Sequence, residues 1–235
     1  MSHEPRCIWI GEAALELRFG KRIDAETNAR VHAAAHVLNA ARLPEVVELV
    51  PAYATLTLVL RSAAALQADA FAARVLGALR QGADGSIKRP RPRVVTIPVA
   101  YGGEFGLDLE DLAAHAGLSP DEVVRRHTAP DYRVAMLGFR PGFPYLLGLD
   151  SSLAMPRHET PRTRIPAGSV GIADTQTGIY PSASPGGWRL IGRTSVVLFD
   201  VASKPPTLLA PGDTVRFRAV PAKQLDGAKA EIAHA

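Results

Sequence analysis

Between Gly138 and Arg193 the chain carries six arginines, Arg140, Arg157, Arg162, Arg164, Arg189 and Arg193, and no lysine. Three acids in the same stretch, Asp150, Glu159 and Asp174, leave a local balance of +3 (six minus three). A guanidinium presents a planar fork of donors that matches a carboxylate or phosphate, whereas an ammonium acts as a point charge. Arginines mounted on stiff turns therefore suit an anion site. They serve equally well to brace loops by pairing with backbone carbonyls or local acids, and residue type alone does not choose between the two.

Gln176, Thr177 and Tyr180 stand in the run Asp174-Thr175-Gln176-Thr177-Gly178-Ile179-Tyr180-Pro181, and Ser184-Pro185-Gly186-Gly187-Trp188 follows. A glutamine side chain donates and accepts together, which suits an amide or lactam. A tyrosine hydroxyl can donate to developing negative charge. Gly186 and Gly187 let backbone approach a ligand closely. An ordinary hairpin loop with a packed tryptophan accounts for the same residues. His127 ends a predicted helix in His127-Thr128-Ala129-Pro130. There it is either an acid–base group or a structural residue held by the helix macrodipole, and position alone favours the second. His32 and His36 are spaced i, i+4, but without the glutamate of a zincin they make a weak metal signal, so no metal is expected. No P-loop, dinucleotide fingerprint or nucleophile elbow is present.

These residues need a frame. Gly138 to Arg193 holds nine glycines and seven prolines in 56 residues, together with Phe139, Phe143, Tyr145, Ile165, Val170, Tyr180 and Trp188. A segment both turn-dense and apolar reads as short strands joined by tight loops, as in a β-barrel, and not as disorder. Ahead of it, Val94–Val99 reads as a strand, Leu107–Ala116 as a helix stopped at Gly117, and Val134–Phe139 as a strand. Ser119-Pro120-Asp121-Glu122 is a capping box that starts a helix running to Arg126. Ser195–Val201 and Thr214–Ala219 are expected strands, and the tail from Ala222 is expected to be a short helix or frayed.

The first 80 residues read as ββαββα. Strands are expected at Cys7–Ile10, Ala14–Phe19, Val46–Val50 and Thr55–Leu60, the last with Leu56, Leu58 and Leu60 on one face. A helix capped by Asp24 would present Val31, Ala35 and Leu38, and a second helix would present Leu66, Ala70, Ala73 and Leu76. Two helices on one face of a mainly antiparallel sheet would bury both stripes. Gln81–Arg93, with two glycines, two prolines and four cations, reads as a linker, and places domains at 1–85 and 86–235.

Composition sets outer bounds. A hydrophobic share of 47% against 21% charged excludes wholesale disorder for these 235 residues. One cysteine, Cys7, excludes an intrachain disulfide, and its apolar neighbours suggest a packed strand residue. A net charge of +4, spread without base-stacking aromatics, argues against nucleic acid as a partner. No signal-peptide pattern or apolar run of about 20 residues is visible, so a soluble cytoplasmic chain with no membrane partner is expected.

The motifs themselves carry a resemblance. Gly138-Phe139-Arg140-Pro141-Gly142-Phe143-Pro144-Tyr145-Leu146, Pro156-Arg157, Thr160-Pro161-Arg162 and Pro166-Ala167-Gly168-Ser169-Val170-Gly171-Ile172-Ala173 form one part of it. Gln176-Thr177-Gly178-Ile179-Tyr180-Pro181, Ser184-Pro185-Gly186-Gly187-Trp188 and Ile191-Gly192-Arg193-Thr194 complete it. Together they resemble the allophanate hydrolase subunit 1 family, also called carboxyltransferase subdomain C/D. A weaker match lies at Glu48-Leu49-Val50-Pro51-Ala52-Tyr53.

The resemblance implies an α+β chain, with an N-terminal ferredoxin-like α/β sandwich followed by a C-terminal cyclophilin-like β-barrel. It implies the B subunit of an ATP-dependent 5-oxoprolinase, inactive alone, which opens the lactam of 5-oxoproline to L-glutamate. The partners implied are an A subunit and a C subunit that is biotin-dependent-carboxyltransferase-like. ATP is used by the complex, and this chain carries neither biotin nor a metal. His127, Gln176 and Tyr180 become candidate catalytic residues. Arg140, Arg157, Arg162, Arg164, Arg193, Thr177, Gly186 and Gly187 become candidates for binding substrate or anion. The family also suggests two other roles, inhibition of a sensor histidine kinase or a place in an allophanate hydrolase or urea carboxylase. Barrel likeness to a prolyl isomerase does not carry that activity. One departure is Asp174, where the family usually has glycine: a positive φ there would be tolerated by Asp, while an acid in an anion site would weaken it.

Overall fold

The computed structural model describes residues 4–61, 68–82 and 93–234. The chain divides into two compact units, Met1–Arg91 and Pro92–Ala235. Residues 83–92, where the expected boundary between 85 and 86 falls, lie outside the described residues, as does Leu66.

In the first unit, strands β1 (Arg6–Ile10), β2 (Ala14–Arg18), β3 (Val46–Pro51) and β4 (Thr55–Leu60) form an antiparallel sheet in the order β1-β2-β4-β3. Alternation sends Leu15, Leu17, Leu56, Leu58 and Leu60 to one face. Helices α1 (Ala25–Ala41) and α2 (Ala68–Gly82) cover that face with Val31, Ala34, Leu38, Phe71 and Val75, giving the ferredoxin-like sandwich. Asp24 caps α1 by accepting from Thr27 N at 2.7 Å. The buried stripe of α2 differs from the expected one: Ala70 and Ala73 face solvent, and the bulkier Phe71 and Val75 turn inward, because they remove more apolar area from water.

The second unit contains β5 (Arg93–Tyr101), α3 (Leu109–Ala116), α4 (Pro120–Thr128), β6 (Tyr132–Leu137), β7 (Pro144–Leu147), β8 (Arg162–Ile165), β9 (Ser169–Ala173) and β10 (Gln176–Ile179). It continues with β11 (Ser184–Gly186), β12 (Arg189–Arg193), β13 (Thr214–Ala219) and β14 (Glu231–His234). Seven strands run β12-β9-β10-β7-β6-β13-β5, and β5 closes on β12 through Gly192↔Tyr101 and Arg193↔Ala100. The result is the closed, cyclophilin-like barrel. Val95, Ile97, Val134, Leu146, Ile172 and Ile179 fill it, and Leu112 of α3 and Val123 of α4 join the same core. Gly117 ends α3 at φ 66°, and Ser119 caps α4 by accepting from Glu122 N. The pair β8–β11 is separate from the barrel sheet.

Two expectations fail. Ser195–Val201 is not a strand: only Phe199 bridges, to Thr207. Asp200 accepts from Ala202 N and Ser203 Oγ, which turns the chain, and Val197 and Val201 are left exposed. The tail forms neither a helix beyond a single 3₁₀ turn at Ala222–Gln224 nor a frayed end; β14 pairs antiparallel with Arg93–Thr96 of β5. The cause is the length of β5. Strand β12 pairs only with its last two residues on that edge, and β14 satisfies backbone groups at the other end.

Candidate anion and amide site

Strand β10 pairs with β9 through Gln176↔Ala173 and Ile179↔Val170, and with β7 through Thr177↔Leu146 and Gly178↔Tyr145. The period of two then divides its residues. Thr177 and Ile179 enter the barrel, while Gln176, Gly178 and the following Tyr180 lie on the outer face. A second apolar cluster forms there from Phe143, Ile165, Ala173, Tyr180, Trp188 and Leu190, with Tyr145 against it. Gly178 has to lack a side chain. A Cβ would stand 3.0 Å from the Phe143 and Trp188 rings, which pack edge to face at 5.4 Å across it. Gly186 is constrained alike, since a Cβ would fall 2.4 Å from the Tyr180 hydroxyl.

The inner face of β10 holds His127. It is fully buried, with Nε2 3.0 Å from Thr177 Oγ1 and Nδ1 2.8 Å from Tyr101 Oη. Thr177 donates its only hydroxyl proton to Gly171 O at 3.0 Å, so it must accept from His127 Nε2–H. Nδ1 is then the acceptor for Tyr101 O–H. The neutral ring is satisfied at both nitrogens, stacked 4.6 Å from Phe217, and burial depresses its pKa to about 3. Helix α4 places it by its last turn, where the macrodipole would raise the pKa, but desolvation wins.

The outer face is charged and open at its rim. Arg157 is 57% exposed and lies 5.8 Å over the Trp188 ring. Its Nε is 3.9 Å from Asp174 Oδ2, and its charge is felt by both Tyr145 and Tyr180. Tyr180 is 2% exposed; burial pushes its hydroxyl up to about 12, against the lowering effect of the Trp188 backbone N–H and Arg157. Two tight turns frame this cluster. Asp174, at φ 52°, sits between β9 and β10, and Phe139, at φ 64° and 60% exposed, packs edge to face on Phe143 and Tyr180. Among the described residues only three that are not glycine have positive φ, and two of them stand here. Such costly backbone concentrates at functional sites.

The six arginines separate by partner. Arg162 forks onto Asp108 at 2.8 and 2.7 Å, and Arg189 Nε donates to Pro156 O at 3.0 Å, so both brace loops. Arg193 stacks 4.6 Å over Phe105. Arg140 and Arg164 are exposed, and their side chains bond to no acid among the described residues. Gly187 lies beside the Pro156–Arg162 loop, where its carbonyl accepts from His158 N at 2.8 Å.

Sequence reasoning missed Asp108 and His158. Asp108 precedes α3 but makes no side-chain cap; its carboxylate turns inward to Arg162, His158 Nε2 (3.1 Å) and Leu190 N (2.7 Å). Burial pushes that carboxyl up, yet Arg162, Leu190 N–H and His158 together hold it below the usual range. An aspartate beside Gly106 at a helix start was the available signal, but its partners are 50 to 82 residues away. A separate surface cavity, lined by Arg93, Val197, Leu198, Pro205, Pro206 and Leu208 among others, holds none of the predicted site residues, and its Arg93 is committed to Asp213.

Comparison with known proteins gives the arrangement relatives. The carboxyltransferase domain, subdomain C and D, matches residues 5–209. The chain is 43% identical to the B subunit of 5-oxoprolinase from Bacillus subtilis (strain 168), over 94% of this chain and 95% of that one. It is 44% identical to the B subunit of 5-oxoprolinase from Escherichia coli O157:H7, over 93% and 97%. The crystal structure of TTHA0988 superposes with a TM-score of 0.76 at 39% identity, covering 89% of this chain but only 40% of that longer one. The urea amidolyase of K. lactis superposes with a TM-score of 0.76 at 19% identity, over 99% of this chain and 16% of that one, which is a likeness of fold.

Proposed function

The chain belongs to the carboxyltransferase-domain family, subdomain C and D, and from that membership we propose that it is the B subunit of an ATP-dependent 5-oxoprolinase. The observation that carries this reading is the outer-face cluster. An exposed guanidinium, Arg157, lies on an indole beside two tyrosines, with Gln176 at the next outward position of the neighbouring strand. That set matches a small ring with a carboxylate and an amide.

In the proposed reaction the lactam oxygen takes a phosphoryl group from ATP, releasing ADP; one water adds to the activated carbon and the C–N bond breaks to leave γ-glutamyl phosphate, which a second water hydrolyses to glutamate and phosphate. Arg157 neutralises carboxylate or phosphate charge, assisted by Arg140, Arg164 and Arg193. Gln176 and Tyr180 orient the ring, and Gly186 and Gly187 keep backbone close to it. Arg162 and Thr177 act one layer back, Arg162 through Asp108 and Thr177 through His127. Sealed in the barrel, His127 supports β10 and moves no proton. An A subunit and a C subunit of the carboxyltransferase type supply the rest of the site and the nucleotide.

The test is reconstitution. Mixed with its A and C partners, the chain should be required for ATP-dependent glutamate release from 5-oxoproline. Absence of release, with tight binding to a sensor histidine kinase or with turnover of a urea-derived substrate instead, would overturn the proposal.

A further inference from the structure

We infer that Asp174 is a specificity-determining residue, which with Arg157 selects a ring bearing a carboxylate next to an N–H donor. The inference rests on the lactam reading above and states which atoms of the lactam this chain reads. Asp174 Oδ2 and Arg157 Nε are 3.9 Å apart, and both side chains are more than half exposed, at 65% and 57%. That separation is too long for a hydrogen bond. The carboxylate keeps its acceptor sites and the guanidinium its donors, the guanidinium held over the Trp188 ring and the carboxylate beside it. Their spacing is set by backbone. Asp174 N donates to Met155 O at 2.8 Å and Met155 N to Asp174 O at 3.2 Å, so Arg157 leaves that bridge two residues on.

A simple carboxylate entering this site gains Arg157 but meets the like charge of Asp174. A ligand whose carboxylate sits beside an N–H satisfies both groups at once, the first on Arg157 and the second on Asp174. In 5-oxoproline the carboxylate-bearing carbon is bonded to the lactam nitrogen, which gives that arrangement. The product, glutamate, offers an ammonium at the same place, and a full charge there favours Asp174 further. The site is thus built to be inhibited by its product. Asp174 takes a backbone conformation costly for a side chain, at φ 52°, and the two-point recognition supplies a reason for it.

The experiment uses the reconstituted complex. The KM for 5-oxoproline is measured beside inhibition constants for glutamate and for 3-oxocyclopentane-1-carboxylate, in which a CH₂ replaces the ring N–H. Asp174→Asn keeps the size and tolerance of the turn, and Asp174→Gly removes the side chain while suiting the positive φ. In both variants the preference for the lactam over the carbocycle should shrink by about tenfold, and glutamate inhibition should weaken by a similar factor. If the wild-type complex releases glutamate and the preference is the same in all three proteins, the inference is wrong and the function stands. If the wild-type complex releases no glutamate, both fall.

Discussion

One strand separates two kinds of chemistry. On the inner face of β10, Thr177 joins a sealed chain from Tyr101 through His127 to Gly171 O, in which each polar atom has a partner and no charge is present. On the outer face, Gln176, Gly178 and Tyr180 adjoin an aromatic cluster whose rim carries Arg157 and Asp174 in water. The inner polar groups are there because the fold needs them satisfied. Of the outer ones, Arg157 and Asp174 are more than half exposed and 3.9 Å apart, and Asp174 stands on a turn of positive φ, as expected of groups that wait for a ligand. A titratable residue is therefore judged by which face it takes, and His127, chemically the more versatile, has the less reactive place.

Substitutions should divide along the same line. His127→Ala leaves a cavity and orphans Tyr101 Oη and Thr177 Oγ1, so urea denaturation should show a loss of about 3 kcal/mol. Turnover per folded molecule should change little; a fall of more than tenfold would move His127 to the outer chemistry. Asp108→Ala strands Arg162 and releases the Pro156–Arg162 loop. It should cost about 2 kcal/mol in the same measurement and also raise the KM, since Arg157 rides on that loop.

Acid should act on the inner face first. His127 has a depressed pKa in the fold, about 3 against 6.5 unfolded, so the unfolded state binds the proton first. Stability is complete above pH 6.5 and falls as pH drops from 6.5 towards 3, by on the order of 1 kcal/mol per pH unit. In His127→Phe that slope should disappear above about pH 5, before carboxylates protonate. Arg157→Ala should have the smallest effect on stability, within about 0.5 kcal/mol, yet should raise the KM for the lactam about tenfold. A stability loss as large as that of His127→Ala would erase the distinction between the faces.

Much of the frame was legible in the chain itself. Asp24 and Ser119 cap their helices as residue type predicts, Leu56, Leu58 and Leu60 alternate into one core, and Gly117 takes the left-handed turn. Asp174 occupies a positive φ, one of the two outcomes weighed for it. The site was legible as a list and not as an arrangement. Nothing near Arg162 in sequence distinguishes it from Arg157, yet one is bound to Asp108, 54 residues earlier, and the other faces solvent.

What the sequence determined by itself is what backbone geometry settles within a few residues: caps, turns, and the alternation that gives a strand two faces. The tertiary structure decided which face water reaches, which arginines are consumed as braces, that His127 is shut in beside Thr177, and that the last strand closes on β5. The reason is that this burial and these arginine pairings depend on distances between segments 33 to 54 residues apart, and those distances exist only once the barrel has closed.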